Sequence, residues 1–321
     1  MSAINWLTNS KFGAKVQLFF DICKRKCKKC AFFLHICKIC SIFAAETKKE
    51  RKDTMRKLII IILCAWAGCV WAGTNLQVFY DFGSLNTACD NQRSNRVTTT
   101  LELFYQDNWG STFAFVDIDY NIHPSDPRNT PFLAYTEIAR CLNFWQQTPV
   151  RDLSVQVEYN GGLGLYKDLA GDIRGYGIEH AALVGFNYCL HTADYKNIFN
   201  LELLYKYIVD DYNKHKNLAP LQFTFVWGCE DFCTAPGLRF CGFLDIWGQK
   251  LCVPDYKNGT ITDPNQQSFV LLTEPQIWYN VGRWFKCPNL HVGTEIEFSY
   301  NFTGAGFMCN PCLGIKWSFD N

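Results

Sequence analysis

The chain has 321 residues, of which 48% are hydrophobic and 16% aromatic, and its 31 basic and 30 acidic side chains nearly cancel. The cancellation joins two unlike segments, because residues 1–72 hold 14 Lys/Arg and 4 Asp/Glu whereas residues 73–321 hold 17 and 26. This division excludes a single homogeneous domain.

Residues 55–72 have the layout of a secretory signal peptide. Met55-Arg56-Lys57 forms a basic start, Leu58 to Val70 is apolar, and Val70-Trp71-Ala72 supplies small-type positions before a cleavage site. A membrane-spanning helix is the alternative, but it needs about 20 apolar residues and this stretch supplies only about 14. We therefore expect the polypeptide that follows to be exported.

Residues 1–54 combine clusters of Lys and Arg with five cysteines and show no sustained hydrophobic period. A basic patch of this kind can bind nucleic acid, but its position upstream of an export signal argues against a nucleic-acid partner. We interpret the segment as a spurious or disordered extension: either the reading frame starts at Met55, or a long basic leader is removed. The fold is thus predicted to lie in residues 73–321.

Residues 73–321 contain repeated segments in which apolar and polar residues alternate, separated by clusters of Gly, Pro, Asn and Asp. The predicted strands are Asn75–Phe82, Arg96–Tyr105, Thr112–Asn121, Phe132–Trp145, Asp152–Asn160, Gly177–Leu190, Ile198–Ile208, Leu221–Trp227, Leu238–Gln249, Ser268–Tyr279, Leu290–Asn301 and Leu313–Phe319. A helical period of 3.6 residues is not sustained beyond a turn or two. The sequence therefore predicts an all-β protein.

The segment from Leu290 to Tyr300 shows what the alternation implies. Its even-numbered residues form a largely apolar face, while Glu295 and Glu297 lie on the opposite face. Eleven residues match the length of about 9–11 residues that a tilted strand needs to cross a bilayer. An apolar face opposite two carboxylates is typical of a wall between lipid and water.

Two architectures compete for this pattern, a soluble β-sandwich or jelly roll and a closed membrane barrel. A membrane barrel turns its apolar residues outward and concentrates aromatic residues at the strand ends. Aromatic residues occupy such positions here: Tyr105, Trp109, Tyr120, Trp145, Tyr159, Tyr188, Trp278, Tyr279 and Tyr300. Together with the export signal they favour a closed antiparallel transmembrane β-barrel of about 12 strands in the cell outer membrane.

The connections between the predicted strands differ in length. Asn108-Trp109-Gly110 is typical of a tight turn and predicts a hairpin between the second and third strands. Longer connections at Arg128–Pro131, Asp210–Pro220 and Pro254–Gln267 are candidates for outward-facing loops, since turns on the inner side of such barrels are usually short.

Seven segments of the chain carry a recognisable combination of motifs: Leu76–Gly83, Thr99–Phe104, Trp109–Tyr120, Glu137–Arg140, Val157–Gly162, Phe243–Trp247 and Leu272–Asn280. In this combination they resemble a bacterial family of outer-membrane proteins that is placed with the nucleoside-specific channel-forming (Tsx-like) porins. The resemblance covers roughly Asn75 to Phe319. It implies a monomeric twelve-stranded barrel, without a cofactor, whose narrow lumen passes nucleosides or similar small solutes. It carries over no binding residue position by position.

The charged residues of the predicted strands indicate which face lines the lumen. Phe113, Phe115, Asp117 and Asp119 share one face of the third strand, and an unpaired charge facing lipid costs several kcal/mol near the bilayer midplane. The face that bears the carboxylates must therefore point inward. The same argument turns six further residues inward: Glu158, Glu202, Lys206, Glu295, Glu297 and Lys316.

These ten residues are the candidate substrate-binding residues of the lumen. Phe113 and Phe115 could stack a nucleobase while neighbouring carboxylates accept hydrogen bonds from ribose hydroxyls. The alternative is a structural network of paired charges, which narrow barrels also need. Glu137 and Arg140 have opposite parity, so we do not expect them to form a lumen pair unless the strand bulges.

Other chemistries receive less support. Cys309-Asn310-Pro311-Cys312 has the spacing of a metal or redox pair but lacks a second pair, and Cys229, Cys233, Cys241 and Cys252 could form a local disulfide or remain free thiols. No metal ion is therefore expected. A lipid-modifying enzyme would need a nucleophile beside His180 or His291, and a nucleophile elbow is missing from the sequence. We expect a passive channel in the outer-membrane bilayer rather than an enzyme; a lipid-modifying enzyme and a sealed structural barrel remain the alternatives.

Overall fold

The computed structural model describes residues 73–83, 95–122, 131–167, 170–208, 216–250, 254–255, 260–261, 269–302 and 304–319. The chain divides into two units, Met1–Val70 and Trp71–Asn321, and all described residues belong to the second unit. The predictions for the signal peptide and for the N-terminal extension lie outside the described residues. Within the described ranges, no helix has the length and hydropathy required to cross a membrane.

Twelve long strands form the fold of the described residues. They are β1 (Asn75–Asp81), β2 (Arg96–Asp107), β3 (Gly110–Asn121), β4 (Pro131–Leu142), β5 (Leu153–Lys167), β6 (Ile173–His191), β7 (Asn197–Ile208), β8 (Lys216–Cys229), β9 (Leu238–Lys250), β10 in two pieces (Val270–Thr273 and Gln276–Tyr279), β11 (Leu290–Tyr300) and β12 (Phe307–Ser318). A two-residue pairing of Pro254–Asp255 with Thr260–Ile261 lies between β9 and β10. Short 3₁₀ turns at Phe232–Thr234 and Val281–Trp284 complete the regular structure.

The strands close into an antiparallel barrel. Each strand pairs with its neighbours in sequence, and β1 pairs with both β2 and β12. Both pieces of β10 pair with β9 on one side and with β11 on the other, so they form one wall strand. The predicted all-β closed barrel of about 12 strands is thereby confirmed.

Several strand boundaries differ from those predicted; for example, β5 ends at Lys167 rather than Asn160 and β6 begins at Ile173 rather than Gly177. The predicted segment Ser268–Tyr279 is interrupted at Glu274-Pro275, because proline has no N–H for the ladder. Strand β8 begins at Lys216 rather than Leu221, and β12 begins at Phe307 rather than Leu313. An Asn-Pro step normally indicates a turn, but Asn310 and Pro311 are held in the ladder by β11.

Side-chain exposure alternates in the sense of a membrane barrel. In β7 the charged Glu202 and Lys206 are 7% exposed, whereas Leu203 and Tyr205 between them are 55% and 47% exposed. In β1 the residues Asn75, Gln77, Phe79 and Asp81 are buried and the intervening apolar residues are exposed. Residues that are paired across two neighbouring strands point to the same face of the sheet. The register therefore extends this assignment around the whole wall.

Local backbone features fix the register of the wall. Asp107 pairs with Gly110, and its carboxylate accepts hydrogen bonds from the N–H groups of Trp109 (2.8 Å) and Gly110 (3.1 Å), which confirms the predicted turn. Gly110 has a φ of 143°, which a residue with a side chain rarely adopts. A β-bulge between Asn160 and Gly162 shifts the pairing of β5 with β6.

The barrel has two distinguishable ends. At the turn end, where β1 begins and β12 ends, the connections run over residues 108–109, 143–152, 192–196, 230–237 and 280–289. At the opposite, loop end, β1 ends and β12 begins. The three long connections predicted from the sequence, Arg128–Pro131, Asp210–Pro220 and Pro254–Gln267, lie mostly outside the described residues, and residues 216–220 of the second belong to β8.

Candidate functional site in the barrel interior

All ten predicted site residues lie on strands of the wall, at inner-face positions. Buried among them are Asp119, Glu158, Glu202, Lys206, Glu297 and Lys316, while Phe113, Phe115, Asp117 and Glu295 share the inner face by register and stay partly exposed. The parity argument thus places these side chains correctly, and their binding of a solute stays a prediction. It also separates inward Glu137 from Arg140, which pairs outside the lumen with Asp107 at 2.8 Å.

The inner face carries more carboxylates than the sequence analysis singled out. The inward acidic residues of the described strands are Asp81, Glu102, Asp117, Asp119, Glu137, Glu158, Glu202, Asp245, Glu295 and Glu297. Fewer basic than acidic side chains of the described strands lie on this face: Arg96, Lys206, Arg239 and Lys316. Asp81, Glu102, Glu137 and Asp245 were missed, although strand parity was the signal that could have identified them.

We call the inner face of β1–β3 and β10–β12 the paired half. Here Arg96 bridges two buried carboxylates, Asp119 at 2.6 Å and Asp81 at 3.1 Å. The hydroxyl of Thr98 donates to the Asp119 carboxylate at 2.6 Å, and that of Thr100 donates to Asp117 at 2.6 Å. An arginine shared by two carboxylates satisfies charges that would be costly to bury alone.

The other carboxylates of the paired half accept hydrogen bonds from amides. Each amide lies on the inner face of the strand next to that of its carboxylate. The pairs are Asn75 Nδ2 to Glu102 (2.9 Å), Gln77 Nε2 to Glu102 (3.3 Å), Gln276 Nε2 to Glu295 (2.5 Å) and Asn310 Nδ2 to Glu297 (2.6 Å). Every carboxylate of this half therefore has a donor beside it.

A packed aromatic cluster stiffens the paired half. Trp278 is fully buried, its ring lies 5.5 Å from that of Phe79, and the ammonium of Lys316 sits 4.2 Å from its ring centroid. Gly314 and Gly293 face these rings: a Cβ on Gly314 would approach Phe79 to 2.7 Å, and one on Gly293 would approach Trp278 to 2.5 Å. The two glycines thus make room for bulky rings inside a narrow barrel.

We call the inner face of β4–β9 the acidic half. Gln156 Nε2 donates to both Glu158 (2.8 Å) and Glu202 (2.7 Å), so one amide nitrogen holds two carboxylates together. Asn187 Nδ2 donates to Glu202 at 2.9 Å and to the Gln156 carbonyl at 3.0 Å. These four side chains are buried and form a continuous polar layer against the wall.

Glu137 and Asp245 stand in front of this layer and remain partly exposed. The hydroxyl of Thr224 donates to Asp245, whereas Glu137 accepts no hydrogen bond from any residue of the described ranges. Lys206 provides a positive charge, with its ammonium 3.9 Å from the centroid of the Trp247 ring. Four carboxylates and one ammonium thus lie within mutual electrostatic reach in the acidic half.

An aromatic row borders the exposed carboxylates. The ring centroids of Phe113 and Phe115 lie 5.9 Å apart, and those of Phe115 and Tyr135 lie 6.0 Å apart. Phe115 is directly opposite Glu137 across the β3–β4 ladder, a position in which the two Cβ atoms are about 5 Å apart. The row therefore places aromatic ring faces next to Glu137, whose carboxylate accepts no hydrogen bond from a described residue.

The inner side chains differ in how well they are packed. Leu183, Leu204, Trp278 and Met308 are at most 1% exposed and fill their part of the interior. Partly exposed inner residues include Phe113, Phe115, Asp117, Tyr135, Glu137, Asp245 and Glu295. These seven lie on β3, β4, β9 and β11, at wall positions that neighbouring side chains do not cover completely.

The cysteine and histidine positions do not form a metal or catalytic site in the described ranges. Cys309 and Cys312 lie three positions apart on β12 and thus on opposite faces. The described Cys229, Cys233 and Cys241 are free thiols, whereas Cys252 lies outside the described residues. No group of three His, Cys, Asp or Glu side chains among the described residues is arranged to hold a metal ion.

Neither candidate histidine is placed beside a serine in its described hydrogen bonds. His180 Nδ1 lies 2.5 Å from the Tyr159 hydroxyl on the outer face, and His291 Nδ1 lies 3.1 Å from the Asn289 carbonyl. These contacts provide an orienting partner for each ring but no nucleophile. The geometry therefore gives no support to acyl transfer at either position.

At the turn end, an ion pair joins two neighbouring connections. Lys196 Nζ lies 2.7 Å from the Asp231 carboxylate, and this hydrogen bond is the main cause that lowers the pKa of Asp231 and raises the pKa of Lys196. The Thr192 hydroxyl, which donates at 2.6 Å, lowers the pKa of Asp194 in the same way. Both carboxylates are therefore ionised at neutral pH.

Residues 73–319 match the family described as Domain of unknown function (DUF5020). The chain belongs to the DUF5020 family. The match covers every strand of the barrel, so the DUF5020 domain and the folded unit coincide. No curated protein matches the chain at a significant level.

Among the solved structures that align with this chain are a porin, an outer-membrane phospholipase and an outer-membrane protein. The NanC porin aligns with 77% of this chain and 100% of its own at 10% identity and a TM-score of 0.43. Outer membrane phospholipase A from Escherichia coli aligns with 76% and 96% at 9% identity and a TM-score of 0.39. Omp33 from Acinetobacter baumannii aligns with 77% and 97% at 10% identity and a TM-score of 0.33. At these values the similarities identify neither solute nor activity, and the fold assignment rests on the strand pairing itself.

Proposed function

We propose that this DUF5020 protein is an outer-membrane channel for the passive uptake of small polar solutes, with nucleosides as the solute class. The observation that carries the proposal is the inverted barrel, whose exposed outer face is apolar and whose inner face bears ten carboxylates. Exposed apolar surface of this extent is unfavourable in water but stabilising against acyl chains.

The dimensions of the outer face suit a bilayer. The outward positions of β7 run from Phe199 to Tyr207 and are all apolar or aromatic. That stretch spans about 27 Å along the strand, or about 20 Å along the membrane normal at the tilt of roughly 40° usual in such barrels. Outward aromatic residues then lie near both ends, with Tyr188 and Trp317 at the turn end and Tyr80 and Tyr300 at the loop end, where an aromatic girdle is expected.

The inner face supports passage of a solute with both a ring and hydrogen-bond donors. Phe115 and Tyr135 present aromatic faces, Glu137 lies opposite Phe115 in the ladder, and Asp245 is close enough to Glu137 to interact with it electrostatically. A nucleobase could stack on the rings while ribose hydroxyls donate to the carboxylates. Weak sites of this type allow a solute to enter and to leave again, which passive transport requires.

The test is conductance of the refolded mature protein in a planar lipid bilayer, with nucleosides, amino acids and sugars added in turn. We expect open-channel current that nucleosides block in a dose-dependent manner. Current that is equally insensitive to all three solute classes would show an unselective pore. Complete absence of current would support a sealed structural barrel instead.

Lipid hydrolysis is the second activity to measure on the same sample. The proposal predicts no calcium-dependent phospholipid hydrolysis in detergent, because neither His180 nor His291 contacts a serine in the described structure. Hydrolysis that disappears when either histidine is replaced would overturn the assignment as a channel rather than an enzyme.

A further inference from the structure

We infer that the acidic half of the lumen is a binding site for small organic cations carrying a protonated amine. The inference goes beyond the proposed function, because nucleosides are uncharged at neutral pH whereas this site would hold a cation in the same lumen. Binding can nevertheless be measured in detergent without any conductance, so the two proposals can fail independently.

The first argument is charge. Glu137, Glu158, Glu202 and Asp245 lie within electrostatic reach of one another, and Lys206 is the basic residue that faces them. Gln156 brings two of these carboxylates to 2.8 and 2.7 Å from a single amide nitrogen. Carboxylates held this close repel one another unless positive charge or hydrogen-bond donors lie between them. The group is therefore stabilised by any cation that reaches Glu137 and Asp245.

The second argument is a surplus of hydrogen-bond acceptors. Asn160 is 8% exposed and Gln222 is 2% exposed, yet Asn160 Oδ1 and Gln222 Oε1 accept no hydrogen bond from a described group. Asn160 lies opposite Glu137 in the β4–β5 ladder and its amide is hydrogen-bonded to Glu158, while the Gln222 amide interacts with Thr224 (3.1 Å) and Asp245. Both amides thus turn their nitrogens toward partners in the group and leave their carbonyl oxygens without donors. A buried acceptor without a donor is uncommon and destabilising.

The composition of the site favours an organic cation over a metal ion. No three His, Cys, Asp or Glu side chains of the described residues are arranged to hold one metal ion. An ammonium group does not need that arrangement, because each of its N–H donors can bind a separate carboxylate or amide oxygen.

The neighbouring rings favour the same class of ligand. Phe115 and Tyr135 lie beside Glu137, and aromatic faces attract cations. The barrel already contains one contact between an ammonium group and an aromatic face, because Lys206 Nζ lies 3.9 Å from the Trp247 ring centroid.

The experiment uses the refolded mature protein in neutral detergent at low salt, titrated calorimetrically with three probes of similar length. Putrescine is a diammonium ion, 1,4-butanediol is its neutral counterpart, and succinate is a dianion. We expect saturable heat for putrescine alone. Equal heats for putrescine and butanediol, or no saturable heat for putrescine, would overturn the inference.

The site is located with matched substitutions. Glu137→Gln and Asp245→Asn keep the size of each side chain and remove its charge, and each should weaken putrescine binding roughly tenfold. Asp172→Asn removes the same charge from an exposed position at the loop end and should change affinity less than twofold, an order-of-magnitude expectation for a screened charge. Equal effects of all three substitutions would assign the heat to the net charge of the protein and would contradict the inference.

Two readouts keep the interpretation clear. The heat-dependent electrophoretic shift typical of folded barrels verifies that each variant has refolded. Bilayer conductance of the same samples tests the proposed function separately: a barrel that binds putrescine without conducting supports this inference and contradicts the channel. A conducting barrel with no putrescine binding does the reverse.

Discussion

The paired half and the acidic half of the inner wall differ in how they stabilise their carboxylates. Both halves bury several carboxylates, but in the paired half each has a donor, and Arg96 is shared between Asp81 and Asp119. In the acidic half, Glu137 accepts no hydrogen bond from a described residue. Buried amide oxygens without a described donor occur in both halves, at Gln77 and Asn310 in the paired half and at Asn160 and Gln222 in the acidic half. The halves therefore differ in their carboxylates: those of the paired half all have donors of their own, whereas Glu137 can accept a hydrogen bond from a solute.

The largest expected effect is that of removing the shared arginine. Arg96→Met should lower the free energy of unfolding by about 3–5 kcal/mol, because it leaves two buried carboxylates without a counter-charge. Equilibrium unfolding in urea from lipid vesicles measures the loss, and Arg96→Lys is the control that retains the charge. By comparison Glu137→Gln should change stability little, since it removes no described hydrogen bond. Similar losses for Arg96→Met and Glu137→Gln would contradict the division into halves.

The second prediction is that an arginine on the outer face destabilises the barrel equally in both halves. Leu203 on the outer face of β7 and Leu313 on the outer face of β12 are each 55% exposed. Arginine at either position should cost about 2–4 kcal/mol in a bilayer, since both side chains face lipid near mid-strand. The same unfolding assay measures both variants. A harmless Leu203→Arg would mean that the outer face of the acidic half contacts water or a partner instead of lipid.

The third prediction concerns ion selectivity. Glu137→Gln combined with Asp245→Asn should reduce the permeability ratio of K⁺ to Cl⁻ roughly threefold, because both carboxylates face the accessible space. Asp117→Asn combined with Asp119→Asn should reduce it less, since Asp119 is buried and neutralised by Arg96. Reversal potentials in a salt gradient measure both effects. Unchanged potentials for the second pair would show that the inward assignment of β3 is wrong.

The smallest expected effect lies outside both halves, at the turn end. Lys196→Ala should lower the thermal unfolding temperature slightly at neutral pH, because Lys196 and Asp231 are paired on the surface. The lowered pKa of Asp231 means that its contribution is present above the usual carboxyl range and disappears as the pH falls through the folded value. The wild type and the variant should therefore converge only as the pH falls below the ordinary range of an aspartate carboxyl. A difference that persists after the carboxylate is protonated would assign the effect to packing rather than charge.

Much of the fold could be predicted because a strand in a barrel wall has only two environments. Alternation in β7 predicts that Glu202 and Lys206 share a face opposite Leu203, and the structure shows this arrangement. Where the local pattern was ambiguous, the prediction failed. Pro275 divides β10, and Pro311 lies inside β12 although its Asn-Pro step is typical of a turn. In both places pairing with neighbouring strands decided the structure, and single-strand patterns contain no information on pairing.

The sequence by itself determined that carboxylates point inward and apolar residues outward, because strand parity and the cost of a charge in lipid are local properties. Only the tertiary structure decided which carboxylates are satisfied. Asp81 and Asp119 are far apart in sequence yet share Arg96, and Glu137 faces Phe115 and Asn160 without a described donor. Register and barrel closure set these distances, and both depend on contacts between residues that are remote along the chain.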